Sequence, residues 1–424
     1  MRDLSIDSDR FLAGTPRPTR LDRLARRAVL ARLGELQEGC LILREGNSCR
    51  VFGDRQARDT AAVEVTVLDS RFYADVAFGG AIGAGEAYIR AYWKTDDLTR
   101  VVQLLLKNRA VLERMDGGLA RITRPLQQLF HRINRNTRRG SRRNIAAHYD
   151  LGNEFFALWL DAAMMYSSAI FTSPDMSLED AATEKLERIC QKLELRPGDR
   201  VIEIGTGWGG FAMHAARHYG CHVTTTTISR EQYELACRRV ADAGLGDRIT
   251  LLLEDYRELS GQYDKLVSIE MIEAVGHEYY DDFFDICCRL LKADGLMCLQ
   301  AITIADQRYE AARRSVDFIQ RYIFPGGGLP SVTAITASLT RSSDLRVVHC
   351  EDIGPHYATT LRHWHDRFSA SIDAIRALGY TEQFIRLWKY YLCYCEAAFI
   401  ERAIGNVQML MARPRNRREP FLAG

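Results

Sequence analysis

The chain has 424 residues, of which 47% are hydrophobic and 26% charged, the balance of a soluble globular protein with room for two or three domains. Its formal net charge of +2 says little by itself, because the positive charge is unevenly placed. No apolar run approaches the roughly 20 residues that span a bilayer, and the N-terminus has no apolar signal core, so a cytoplasmic protein with at most peripheral membrane contact is expected. The eleven cysteines form no C-x-x-C pair and no zinc-ligand spacing, which points to reduced thiols and no metal site.

Residues 1–20 carry Gly14, Pro16 and Pro18 and read as a loose arm. Leu21–Leu36 places apolar residues at helical spacing. From Cys40 to Ala87 the period is two, through Leu41-Ile-Leu, Ala62–Leu68 and Phe72–Phe78, with Gly53, Gly79, Gly80 and Gly83 as punctuation. A helix over Leu98–Met115 completes a small α+β domain spanning residues 1–120.

Residues 121–143 contain eight arginines, one histidine and no acid, interleaved with Ile122, Leu126, Leu129, Phe130 and Ile133. This is either a solvated linker or a basic amphipathic segment lying on an anionic membrane. No nucleic-acid recognition fold accompanies the charge, so nucleic acid is not an expected partner.

From Asn144 to the last residue the pattern alternates strand and helix. A helix at Leu178–Lys192 leads to a strand at Val201–Ile204, then Gly205, Gly207 and Gly209, and a helix at Phe211–Tyr219. Strands follow at Cys221–Ile228, Ile249–Leu253, Lys265–Glu270 and Leu296–Ile304, separated by helices at Glu231–Ala243 and Tyr280–Leu291. This predicts a doubly wound parallel sheet with its ligand at the carboxyl ends of the strands. Residues 306–344 interrupt the alternation with an Arg-rich, aromatic helical insertion containing Pro325-Gly-Gly-Gly-Leu-Pro330. Two helices, Thr359–Leu378 and Glu382–Arg402, and a strand at Val407–Ala412 close the domain.

The glycine turn presses backbone against a ligand, and the following helix offers free N–H groups. It does not have the G-x-G-x-x-G spacing of a dinucleotide site. The second strand ends in Thr224–Thr227 with no acid for a ribose, whereas Glu254-Asp255-Tyr256 offers a carboxylate and a ring where an adenine could bond and stack. The pattern is that of a class I S-adenosylmethionine (SAM) methyltransferase, a Rossmann-like α/β fold.

Seven motifs recur in order: His148–Asn153, Met165–Phe171, the glycine turn, Glu270–Gly276, Tyr322–Gly327, Gly354–Leu361 and Tyr390–Cys395. The series resembles the cyclopropane-fatty-acyl-phospholipid synthase family, strongly over residues 144–412. The resemblance implies methylene transfer from SAM across a cis double bond of unsaturated phospholipid acyl chains, at the inner membrane surface and in a homodimer. It also implies a bound bicarbonate as base, held by Ser168, Glu273, Gln300, the Ile302 backbone and Tyr357. Two of these depart from the family pattern, Ser168 replacing a cysteine and Gln300 a histidine. Both keep a hydrogen-bonding group, but the histidine's titratable charge is lost, which opens the way to a methylene or methyl-branched product.

For SAM, the resemblance places Tyr166 and Ser167 by the methionine end, Gly205 and Gly207 beneath it, Thr227 and Gln232 at the ribose, and Asp255 and Tyr256 at adenine. Glu203 is expected to bond the glycine-turn amides. Glu270 is read as solvated or structural as readily as catalytic. Tyr309, Phe318, Tyr322 and Phe324 are candidates for an acyl-channel wall or for simple core. Methylation of another nucleophile is the alternative within enzymes, and a non-catalytic binding protein the alternative outside them.

Overall fold

The computed structural model describes residues 20–54, 62–117, 140 and 151–419, so the arm 1–19 and, Gly140 apart, the basic segment 121–143 lie outside the described residues. The chain forms two compact units, one of Met1–Phe130, Asp317–Ile319 and Gly379–Glu401, the other of His131–Val316, Gln320–Leu378 and Arg402–Gly424. This division departs from the chain-order boundaries 1–120 and 144–424 at residues 317–319 and 379–401.

In the first unit, strands β1 (Cys40–Glu45), β2 (Ser48–Gly53), β3 (Ala62–Val67) and β4 (Trp93–Lys94) form a sheet in the order β2-β1-β3-β4. The stretch from Phe72, expected as strand, is a helix over Arg71–Ile89 kinked at Gly80. Its buried residues Phe72, Tyr73, Val76, Gly80, Gly83 and Ala87 follow a helical repeat that the glycines obscure at the level of composition. Gly83 lies where a Cβ would meet the Asp75 carbonyl at 1.9 Å. The helix expected over Leu98–Met115 breaks at Asn108, whose side-chain oxygen accepts from the Gln37 and Glu38 amides at 2.8 and 3.1 Å. The helix Glu382–Ile400 belongs to this unit. Thr99 Oγ1 donates to Glu396 Oε2 at 2.9 Å, and Arg386 lies 4.1 Å over the Tyr88 ring. Phe318 packs on Tyr390 with ring centroids 4.6 Å apart, a core contact within the same unit.

The second unit is built on strands β5 (Arg200–Ile204), β6 (His222–Thr226), β7 (Ile249–Leu252), β8 (Tyr263–Ile269), β9 (Leu291–Ile304), β10 (Arg346–Asp352) and β11 (Ile404–Ala412). Their order is β10-β11-β9-β8-β5-β6-β7. Strands β5 to β9 are parallel, and β11 runs antiparallel between β9 and β10. Both faces are covered, which is why these strands read as apolar runs. Val201 and Val267 face the helices Leu178–Lys192 and Gly210–Tyr219, while Ile202 and Leu266 face Phe283, Phe284 and Leu339. The chain reverses direction across the sheet between β5 and β8, and the crevice at such a reversal is where open α/β sheets bind ligands. Strand β10 was not expected: it is an exposed edge, with Val347 and Val348 open to solvent. The helix expected over Thr359–Leu378 starts at Gly354 and is interrupted at Ser371.

Candidate active site

At the carboxyl end of β5 the backbone passes through Gly205, Gly207 and Gly209 with φ of 102°, 52° and 87°, conformations that favour glycine. Among the described residues a Cβ at Gly207 would meet nothing within 4 Å, so the turn is open there. The Gly205 and Thr206 amides donate to the Thr226 carbonyl at 3.1 and 3.0 Å. They are therefore not partners of Glu203, contrary to expectation. Glu203 is 2% exposed and accepts instead from Thr225 Oγ1 at 2.6 Å. Burial pushes its carboxyl up to about 8.

A cation faces this carboxyl group. Lys185 is fully buried and donates to Ser167 Oγ at 2.7 Å. Burial pulls its ammonium down to about 8, against the attraction of Glu270, Asp161 and Glu203. Sequence reasoning missed this residue, although Ala181, Leu178 and Ile189 place it on the apolar stripe of its helix.

Beyond β6, Thr227 Oγ1 donates to Gln232 Oε1 at 2.9 Å, so the two expected ribose contacts are joined. After β7, buried Asp255 accepts from Arg257 Nε and Nη2 at 2.8 and 2.7 Å. The Tyr256 ring meets Phe283 edge-on at 5.6 Å, and Arg257 lies 5.5 Å from its centroid. Tyr166 is surrounded by Phe156, Trp159, Trp364 and Phe324, at 5.5, 5.4, 5.4 and 6.2 Å between ring centroids.

The loop after β8 carries two glutamates. Glu270, with φ of 49°, is held at both carboxylate oxygens. Its Oε1 accepts from the Ser168 amide at 3.0 Å, Gln300 Nε2 at 2.8 Å and Asn406 Nδ2 at 2.5 Å, and its Oε2 from the Tyr357 hydroxyl at 2.9 Å. Behind Gln300, Gln408 Nε2 donates to Gln300 Oε1 at 3.0 Å, and Lys192 Nζ donates to Gln408 Oε1 at 2.5 Å and to Glu351. Ser168 Oγ turns to the Ala169 carbonyl at 3.0 Å. Glu273 Oε1 accepts from the Ile302 amide at 2.5 Å, and its carbonyl from the Gly328 amide at 2.8 Å. Its Oε2 is buried with no hydrogen-bond partner among the described residues, and burial, reinforced by the charge of Glu270, pushes the carboxyl up to about 8.

Ser168, Gln300 and Tyr357 thus converge on Glu270, while Ile302 is engaged by Glu273. Asn406 and Gln408 were missed. The only signal was two polar residues alternating with Val407 and Met409 in an apolar strand, and both are fully buried.

A seven-stranded sheet with its last strand antiparallel and an open glycine turn at the chain reversal define a class I SAM-dependent methyltransferase. Of the residues expected at the cofactor, Tyr166, Ser167, Thr227 and Asp255 lie between the helices and strands, Gln232 lies in the helix Arg230–Asp242 and Tyr256 in the short helix Tyr256–Glu258. The mycolic acid cyclopropane synthetase family matches residues 136–409, and the chain belongs to that family. It is 42% identical over 342 residues to the tuberculostearic acid methyltransferase UfaA1 of Mycobacterium tuberculosis, covering 79% of each chain. It is 36% identical over 367 residues to the cyclopropane-fatty-acyl-phospholipid synthase of Escherichia coli K12, covering 84% of this chain and 89% of that one. Among solved structures it is similar to the mycolic acid cyclopropane synthase CmaA1 complexed with SAH and CTAB. That match has a TM-score of 0.60 and 33% identity, over 64% of this chain and 98% of the other.

Proposed function

We propose that the protein transfers a one-carbon unit from SAM to a cis double bond of an unsaturated phospholipid acyl chain, closing a cyclopropane ring. The observation that carries this reading is the pairing of an aromatic enclosure around Tyr166 with the two-glutamate loop after β8. SAM, when bound, supplies an electrophilic methyl group. An isolated double bond is a weak nucleophile, so the chain must hold it aligned and dry. The Tyr166 ring, partly exposed and braced by buried Trp159 and Trp364, offers a π face to the positive charge that develops on the acyl carbon. The two-glutamate loop supplies carboxyl oxygens beside the developing charge and a place for the departing proton.

Membrane contact through the basic segment 121–143 and a homodimer belong to the same reading. Both rest on sequence and resemblance. Among the described residues no helix is long and apolar enough to cross a membrane. The test is incubation with SAM and cis-monounsaturated phospholipid vesicles, followed by mass spectrometry of the acyl methyl esters. A gain of one CH₂ unit is expected, and no gain on any lipid refutes the reading. The second reading, a methylene or methyl-branched product, is favoured by Ser168 and Gln300 standing where the family pattern has cysteine and histidine. Proton NMR of the same product separates ring from branch.

A further inference from the structure

The groups that resemblance assigns to a bound bicarbonate are already committed. The Tyr357 hydroxyl, the Gln300 amide and the Ser168 backbone amide all end on the Glu270 carboxylate, and the Ile302 amide ends on Glu273. The Ser168 hydroxyl, the remaining candidate, points to a backbone carbonyl. The donor set does not fit a free anion. It fits a carboxylate belonging to the protein.

The polarity of this arrangement is forced from behind. A lysine ammonium has donors only, so Lys192 makes Gln408 present its oxygen to the lysine and its NH₂ to Gln300. Gln300, with its oxygen occupied, can offer Glu270 only its own NH₂. Asn406, from the same strand as Gln408, adds a second amide donor. Among the described residues three donors load Oε1 and one loads Oε2, which leaves Oε2 the oxygen with spare lone-pair capacity. The residue also holds a positive φ without being glycine, a strain that structures retain mainly at functional sites.

We infer that the side chain of Glu270 takes the place of the diffusible bicarbonate and is itself the base of the reaction, a step that rests on the function proposed above. The methylated acyl chain carries a cation at the carbon next to the new C–C bond. A C–H bond of the added methyl group breaks, its electron pair forms the closing C–C bond of the ring, and the proton passes to Glu270 Oε2. The carboxylate becomes a carboxylic acid and afterwards releases the proton to solvent. Gln300, Gln408 and Lys192 act as positioning residues that aim the donors.

The test measures lipid product in carbon-dioxide-free buffer under argon, with and without added bicarbonate, for the wild type, Glu270→Gln and Glu270→Gly. Wild-type turnover is expected to change by less than about twofold between the two buffers, and Glu270→Gln to lose about 100-fold or more in kcat. SAM affinity, read by calorimetry, and the circular dichroism spectrum are expected to stay at wild-type values in Glu270→Gln, which separates lost chemistry from lost folding. In Glu270→Gly, added formate or bicarbonate is expected to restore turnover by filling the vacated carboxylate space. Wild-type turnover that collapses without bicarbonate and returns with it overturns the inference alone, as does Glu270→Gln at wild-type kcat. A wild type that makes no lipid product in either buffer overturns the proposed function and this inference together.

Discussion

Glu203→Gln should uncouple the stability of the catalytic unit from pH over a defined window. Glu203 is buried beside the glycine turn, and its carboxyl is raised from 4.5 to about 8. Below pH 4.5 it is protonated in both the folded and the unfolded chain and costs nothing. As the pH rises above that value the unfolded chain gives up its proton while the folded one keeps it. Each pH unit then removes about 1.4 kcal/mol of stability, until the folded group also ionises near 8. Between about pH 6 and 8 the wild type should therefore lose roughly 2 kcal/mol through this group alone. Glutamine has the same shape, keeps an acceptor for Thr225 Oγ1 and does not titrate. Glu273 is raised in the same way, but it is common to both proteins and largely cancels in the difference. Urea unfolding of both proteins at several pH values, followed by near-ultraviolet circular dichroism, gives that difference directly. A gap between variant and wild type that stays flat across the window, or moves against the variant as the pH rises, refutes the argument that Glu203 is held protonated.

Further expectations concern the amide relay and the glycines. Gln408→Leu leaves Gln300 Oε1 buried without its donor, and should cost about 1–3 kcal/mol of stability and lower kcat more than it weakens SAM binding. Isothermal calorimetry and product analysis on one preparation check both parts. Gly207→Ala places a methyl group in the open space of the turn with only modest backbone strain, so the expected result is a SAM dissociation constant raised about tenfold or more with thermal stability lowered by roughly 1–2 kcal/mol. In the first unit, Gly83→Ala drives a Cβ into the Asp75 carbonyl, whereas at Gly79 the same methyl group meets nothing within 4 Å among the described residues. Thermal melts should show Gly83→Ala strongly destabilised and Gly79→Ala at or slightly above wild type.

The glycine turn and strands β5 to β9 were legible because a parallel sheet covered on both faces writes itself as apolar runs between turns. Strand β10 was not, since an exposed edge has no such imprint. The helix Arg71–Ile89 was misread as strand because its glycines, placed for close packing, look like turn punctuation in one dimension. In the site, Tyr357, Gln300, Ile302 and Glu273 could be named from motifs, but what each bonds could not. That depends on β11 lying against β9, with Asn406 opposite Ile302 and Gln408 opposite Gln300. Lys185 and Lys192 were hidden for a similar reason. A lysine on a helix reads as solvated until the surrounding carboxylates and amides are placed around it.

The antiparallel placement of β11 also sets a timetable for synthesis. Gln300 and Gln408 are 108 residues apart in the chain, and Glu270 and Asn406 are 136 apart. At about 5–20 residues per second, β9 leaves the ribosome roughly 5–20 s before the strand that must slide in beside it. During that interval the nascent sheet carries an open edge, with the Gln300 amide and the Glu270 carboxylate still lacking their β11 partners.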